Sequence, residues 1–192
     1  MYNDKLKPIL SDLESKEIEI AGGGVVGIVL STINSLIKYI GNLTVNKKNY
    51  EDVQDKINEI LDKANDLKNK SLNVIDDDKI ILEEILSSYK TRKDDMDKYI
   101  EVCKKSVEFC EYVLNIAFET LKLSCEISEV GNRMLASDFK ICKYYSYASI
   151  KSAIVNVNIN LESITDEKYK EKVIKRCNKI LKETDKLMKG LD

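Results

Sequence analysis

Three groups of residues have types and spacing that could do chemistry: the glycines Gly22, Gly23 and Gly24, the carboxylates Asp76, Asp77 and Asp78, and the amides Asn156, Asn158 and Asn160. With Gly27 the first group spells GxGxxG behind Glu17 to Ile20, whose alternation is strand-like, so a dinucleotide site is the first reading to test. The context fails it. No second strand follows at βαβ distance, no acidic ribose ligand follows, and no Gly-Lys-Ser/Thr closes a Walker loop. What survives is physical: glycines opening an apolar helix let backbone N–H groups come close to a ligand, and the helix N-terminus favours negative charge. Close helix packing is the other use of the same residues. The adjacent aspartates raise one another's proton affinity if buried, and otherwise form a solvated turn or a helix cap. The asparagines alternate with Val155, Val157, Ile159 and Leu161, and amides in an apolar stretch need partners, on a neighbouring helix or a ligand.

The chain contains no histidine. Ser–His and Cys–His nucleophiles are therefore excluded, and proton transfer falls to carboxylates, Lys, Tyr or Cys. Cys103, Cys110, Cys125, Cys142 and Cys177 form no CxxC pair, and without histidine they read as core thiols, with no metal site expected. Their odd number, and a beginning unlike a cationic secretion leader, imply a reduced, cytoplasmic protein. With 31 basic and 33 acidic residues the net charge is -2, so neither nucleic acid nor an anionic membrane is an expected partner.

The elements that must position these groups read as helices. One Pro, seven Gly and a third of the residues charged fit an all-α chain of 192 residues forming a single domain, 1–192. A first helix spans 2–15, with Pro8 near its start. Residues 21–37 carry no charge and approach membrane-span length, but Ser31, Thr32, Asn34 and Ser35 favour a buried central helix. An amphipathic helix covers 51–75, and the acidic triplet either continues it toward Tyr89 or restarts it with an aspartate cap. After a turn at 91–95, helices run over roughly 95–130, 137–163 and 166–189, broken at Gly131 and Asn132. The expected architecture is a multi-helix bundle of long amphipathic helices around a buried, glycine-led helix, with homodimerisation plausible from their length.

Taken in order, AGGGVVGI at 21–28, LTVNKKNY at 43–50, DKIILEEILSSYK at 78–90, GNRMLASD at 131–138 and IVNVNINL at 154–161 resemble the cyclodeaminase domain of formiminotransferase-cyclodeaminase, which also occurs alone as a methenyltetrahydrofolate cyclohydrolase. The resemblance implies an all-helical, dimeric enzyme acting on tetrahydrofolate one-carbon adducts, with the folate as substrate and no bound cofactor. It implies Asp78 as the catalytic carboxylate, at the head of a D-x-x-x-F-x-x-x-x-x-x-Y-K pattern in which Leu82 replaces the aromatic residue while Tyr89 and Lys90 stand in place. Lys47, Lys48 and Tyr50 match a lysine-rich block whose glycine is Asn46 here; Asn132, Ser137 and Asp138 match N-x-x-x-x-S-D, and Asn156 and Asn160 match N-V-x-x-N-L.

By the same resemblance Gly22, Gly23 and Gly24 shape the pterin or glutamate end of the pocket, Lys47 and Lys48 attract the folate carboxylates, and Asn156 and Asn160 bond the pterin edge. The implied reaction is hydrolysis of 5,10-methenyltetrahydrofolate to 10-formyltetrahydrofolate, preferred because this sequence shows no transferase domain; the alternatives are formiminotetrahydrofolate cyclodeaminase, releasing ammonia, and a helical binding module that has lost the chemistry. The chain departs from the family at Ala21 and Val25, where proline and serine are usual, and at Phe139 and Lys140, where a small residue and glycine are. A bulky Phe139 is expected to narrow the pocket.

Overall fold

The computed structural model describes residues 2–17 and 19–189, and among them the chain forms six α-helices: α1 (Tyr2–Glu14), α2 (Gly22–Asn42), α3 (Gln54–Thr91), α4 (Met96–Val130), α5 (Ala136–Leu161) and α6 (Glu167–Met188). The all-α expectation holds, and the helix boundaries follow the periodicity closely. Residues Glu17, Glu19 and Ile20 are irregular rather than a strand. The acidic triplet neither caps nor breaks a helix, because α3 runs through it. Asp76 and Asp77 point to solvent, where charge costs a helix little, and Asp78 turns inward.

α2 is the centre of the bundle and packs on α3, α4 and α5. Its Val26, Leu30, Ile33, Ile37 and Ile40 are buried against Ile57, Ile60 and Val74 of α3, Leu114 and Leu121 of α4, and Ile150 and Val157 of α5 in one continuous core. Among the described residues it is the one helix long and apolar enough to cross a membrane; here ten of its residues are buried inside the bundle. α2 and α3 run antiparallel, since Gly23 faces Asp78, Gly27 faces Ser71, and Lys38 donates to Asn65 Oδ1 at 2.7 Å. Their crossing is tight: a Cβ on Gly27 would lie 2.7 Å from the Ser71 carbonyl oxygen, so glycine is required where the two backbones meet.

α4 and α5 are also antiparallel, joined by Cys110 to Asn160 at one end and Ser124 to Ser146 further along. A buried polar seam crosses the core where Asn34 Nδ2 donates to Thr120 Oγ1 at 3.0 Å, while Ser124 and Ser146 each return their hydroxyl to the carbonyl four residues earlier. α6 lies along α4, held by the paired bonds from Arg176 to Glu111 at 2.7 Å. α1 contributes nothing to this core; none of its residues is buried.

Candidate functional site

The site is built on the start of α2. A helix leaves its first N–H groups without intrahelical partners, and the residue before this one, Ala21, offers no side-chain acceptor. The missing cap comes from another helix, 54 residues away: Asp78 Oδ2 accepts the Gly24 N–H at 2.8 Å, with the Gly23 amide also directed at the carboxylate. Approach this close is possible only because Gly23 lacks a side chain, since a Cβ there would fall 2.1 Å from Asp78 Oδ1. Gly24 is less confined, with the Ile20 side chain 3.0 Å from where its Cβ would lie and the Ile75 carbonyl at ordinary contact distance, whereas Gly22 faces open space. Beside this contact Lys79 and Glu19 pair at 2.6 Å and tie the lead-in segment to α3.

Two opposing influences act on Asp78. Half-burial disfavours its charge and pushes its pKa above the ordinary carboxylate range, while the two backbone amides pull it down; burial prevails. The result is a carboxylate held by one oxygen at a helix N-terminus, with a proton affinity moved toward neutrality. Such a group suits general acid–base work.

Around it stand residues from α4 and α5. Cys110 is buried, and its thiol is pushed up to about 11 by burial, with the charge of Asp78 adding to the effect. Asn160 Nδ2 donates to Cys110 Sγ at 3.4 Å and to the Asn156 carbonyl at 2.9 Å. Asn156 and Asn160 are half-buried and Asn158 is exposed, so the alternating amides do not act as one row. Cys110 carried no signal in the sequence beyond its type, and its place beside the carboxylate emerges only from the packing of α4 on α5.

The remaining expected residues gather at the opposite end of α2. Asn132 donates its N–H to Thr44 Oγ1 at 3.0 Å and its side-chain amide to the Leu43 carbonyl at 3.4 Å, and caps the next turn by accepting the Met134 N–H. Tyr50 Oη accepts the Arg133 N–H at 3.0 Å, joining the Lys47–Lys48 loop to the same corner. Lys47 is partly covered and Lys48 exposed. Asn46 sits at φ 54°, a left-handed conformation that glycine takes freely and asparagine tolerates, so its replacement of the family's glycine preserves the loop. Ser137 and Asp138 lie in the first turn of α5, Ser137 exposed and Asp138 half-buried.

Within one chain these two groups do not meet. α2 has 21 residues, so its ends lie about 30 Å apart at 1.5 Å per residue. The antiparallel α5 separates Asp138 from Asn160 by a similar span. Asp78, the glycine triplet and Asn160 therefore form one cluster, and Lys47, Lys48, Tyr50, Asn132, Ser137 and Asp138 a second. A groove of about 900 Å³ between α3 and α4, lined by residues including Glu84, Lys98, Lys105 and Glu108, contains none of the expected site residues.

Phe139 corrects the expectation attached to it. Its ring is buried and lies against Gly131, where a Cβ would come within 3.0 Å of it, so it fills the core under the α4–α5 turn instead of narrowing a pocket. Val25, by contrast, stands on the exposed side of α2. Among the described residues no three His, Cys, Asp or Glu side chains gather to hold a metal ion.

A helical bundle whose central helix begins with glycines closed by a carboxylate from its antiparallel neighbour defines the class: an all-α protein with a half-buried carboxylate held at a helix N-terminus. Residues 5–179 match the family described as formiminotransferase-cyclodeaminase, and the chain belongs to that family. It is 24% identical to the methenyltetrahydrofolate cyclohydrolase of Methylorubrum extorquens, covering 96% of this chain and 92% of that one. Its fold matches the crystal structure of formiminotetrahydrofolate cyclodeaminase from Thermotoga maritima with a TM-score of 0.82 and 23% identity, over 95% of this chain and 89% of that one.

Proposed function

We propose that this chain is a folate one-carbon enzyme that hydrolyses 5,10-methenyltetrahydrofolate to 10-formyltetrahydrofolate, with Asp78 as its acid–base group. The observation that carries this reading is the Asp78 carboxylate anchored on the Gly24 amide at 2.8 Å with burial raising its pKa. The near full-length kinship with a cyclohydrolase supports the choice of reaction.

The substrate's methine carbon, between N5 and N10, carries an amidinium-like positive charge. Asp78, unprotonated, favours that cation and takes a proton from the water that attacks the carbon. The carbinolamine so formed opens by breaking its bond to N5, which receives a proton, leaving the formyl group on N10 and releasing one proton overall. A positioned base is typically worth about 10² to 10⁴ in rate. Cyclodeamination would use the same carboxylate differently: N10 attacks an N5-formimino carbon and ammonia departs. The fold's likeness to a cyclodeaminase keeps this as the second reading.

We assign the active assembly as a homodimer because one chain leaves both an apolar surface and a divided site. On α5, Ile141, Tyr145, Val155 and Ile159 are exposed along one face, and on the adjoining α2 so are Val25, Tyr39 and the flanking Leu43, with no charged residue on that side of α2. Continuous uncharged faces of this length mark association surfaces. A two-fold dimer pairing these faces antiparallel would set the Asp78 cluster of one protomer beside the partner subunit's Lys47 and Asn132, closing the gap of about 30 Å within each chain. The lysines then serve the substrate's carboxylates. The five free thiols fit a reducing, cytoplasmic setting, and the near-balanced charge gives no reason to invoke nucleic acid or membrane.

The test is direct. Purified protein incubated with methenyltetrahydrofolate should accelerate loss of its near-ultraviolet absorbance, and Asp78→Asn should abolish the acceleration. No acceleration by the unaltered protein overturns the cyclohydrolase reading, and ammonia release from the formimino substrate selects the cyclodeaminase instead. Ile159→Lys should produce monomers by analytical ultracentrifugation and lower activity; an active monomer refutes the dimeric site.

A further inference from the structure

The proton affinity of Asp78 depends on what keeps water from it: burial is the largest influence on the carboxyl, and the Gly24 and Gly23 amides oppose it. The titratable group facing it from α4 is Cys110, whose thiol, pushed up to about 11, stays neutral at physiological pH. The lead-in to α2 shelters another side. A Cβ on Gly24 would lie 3.0 Å from Ile20 Cγ2 and 3.8 Å from Asp78 Oδ2, so the Ile20 methyl and the carboxylate oxygen crowd the same small space beside one glycine. Ile20 is half-buried there although neither it nor Glu19 belongs to a helix or strand. What pins the segment to α3 is the ion pair between Glu19 and Lys79 at 2.6 Å, with side chains 43% and 34% exposed. Lys79 directly follows Asp78 in α3, and Asp12 of α1 and Glu83 of α3 add negative charge around it.

We propose that this lead-in segment is a latched cover over Asp78, with the Glu19–Lys79 pair as the latch and Ile20 as the positioning residue that keeps water from the carboxylate. Its catalytic meaning rests on the acid–base reading above and adds to it what sets the strength of that base. With the cover closed, Asp78 binds a proton more readily than an ordinary carboxylate and is the stronger base for it; with the cover open, water stabilises its charge and the base weakens. An exposed ion pair holds weakly, which lets the segment yield without unfolding the bundle.

The experiment follows the Asp78 carboxyl carbon by NMR through an acid titration of the full chain, beside kcat/KM for methenyltetrahydrofolate over the same pH range. Opening the latch should move the Asp78 midpoint down whichever partner is removed. Glu19→Gln and Lys79→Gln should both do so, and the plateau of kcat/KM should fall about threefold as the base weakens. Lys79→Arg, which keeps the pair, should restore both readings. A through-space charge effect alone predicts opposite signs, since losing Glu19 removes an anion and losing Lys79 a cation. Ile20→Ala should lower the midpoint with the pair intact, and Ile20→Leu should leave it in place. A midpoint in Lys79→Gln that stays or rises, or an unchanged midpoint in Ile20→Ala, overturns the cover while the enzyme reading stands. Midpoints that move as stated in a protein that leaves methenyltetrahydrofolate untouched uphold the cover and overturn the enzyme reading.

Discussion

Replacing Gly23 by alanine tests the central contact with a single methyl group. The new Cβ would lie 2.1 Å from Asp78 Oδ1 and 2.6 Å from its Cγ, far inside van der Waals contact, so the short aspartate side chain must swing off the helix N-terminus. The Gly24 N–H bond to the carboxylate is lost with it. A hydrogen bond to a charged group contributes about 1.5–3 kcal/mol, and the half-exposed setting of Asp78 places it near the lower end. Alanine returns up to about 1 kcal/mol through its better helix propensity. The swing also returns the carboxylate to water, which burial had disfavoured, so the net change in stability is small, within about 1 kcal/mol or roughly 2–4 °C in melting temperature for a chain of this size. Activity should fall much further, by about 10² or more, if Asp78 is the base proposed above, because the substitution displaces it. Gly27→Ala separates the two effects: it wedges the same pair of helices apart at Ser71, without touching Asp78, and should cost stability more than turnover. Thermal melts and absorbance assays on both variants decide the matter. If Gly23→Ala keeps more than a tenth of the activity, or if both variants lose activity only in proportion to their unfolded fraction, the anchored carboxylate is not the catalytic feature.

The raised pKa of Asp78 fixes a direction for pH effects. A carboxyl whose folded pKa lies above its unfolded value contributes stability at low pH, and loses it as pH rises from the unfolded value through the folded one. Asp78→Asn should therefore melt higher than the wild type near pH 7, with the difference fading below about pH 4, and kcat/KM of the unaltered protein should fall on the acidic side as Asp78 takes up its proton. Phe139→Ala should cost about 3–5 kcal/mol as a core truncation and leave KM within about twofold in the folded protein, since the ring packs on Gly131. Thr44→Val, which keeps the shape but strands the buried Asn132 N–H, should cost about 1–3 kcal/mol, read by chemical denaturation.

Helix identity was legible because spacing of three and four persists through every long segment, and Gly131 and the 91–95 turn interrupt it cleanly. The acidic triplet was not, because three aspartates in a row look alike in one dimension while the helix turns each by about 100°. Only Asp78 faces α2, and the glycines it caps are 54 residues earlier. The glycine triplet itself read correctly as a helix start, but its purpose as a clearance for a carboxylate depended on which helix lay opposite. Phe139 misled for a related reason: a large residue in a motif of small ones suggested obstruction, and its direction into the core is decided by α5's register against Gly131. The split of the expected residues between the two ends of α2 could not be read from motif order, since α5 retraces the length of α2 and brings the last motif back beside the first.

The cap on α2 makes the site answerable to the whole bundle. A helix usually carries its own stop, and its first turn can fray with little effect elsewhere; here the closing group belongs to the middle of α3, so α2 cannot unravel at Gly23 and Gly24 without releasing the carboxylate, and the carboxylate cannot leave without exposing the helix start. Exchange of the Gly24 amide proton with solvent thus becomes a clock for how often the carboxylate and the helix start come apart. A mutation far along the α2–α3 crossing acts on the Asp78 carboxylate through that same opening, without touching it.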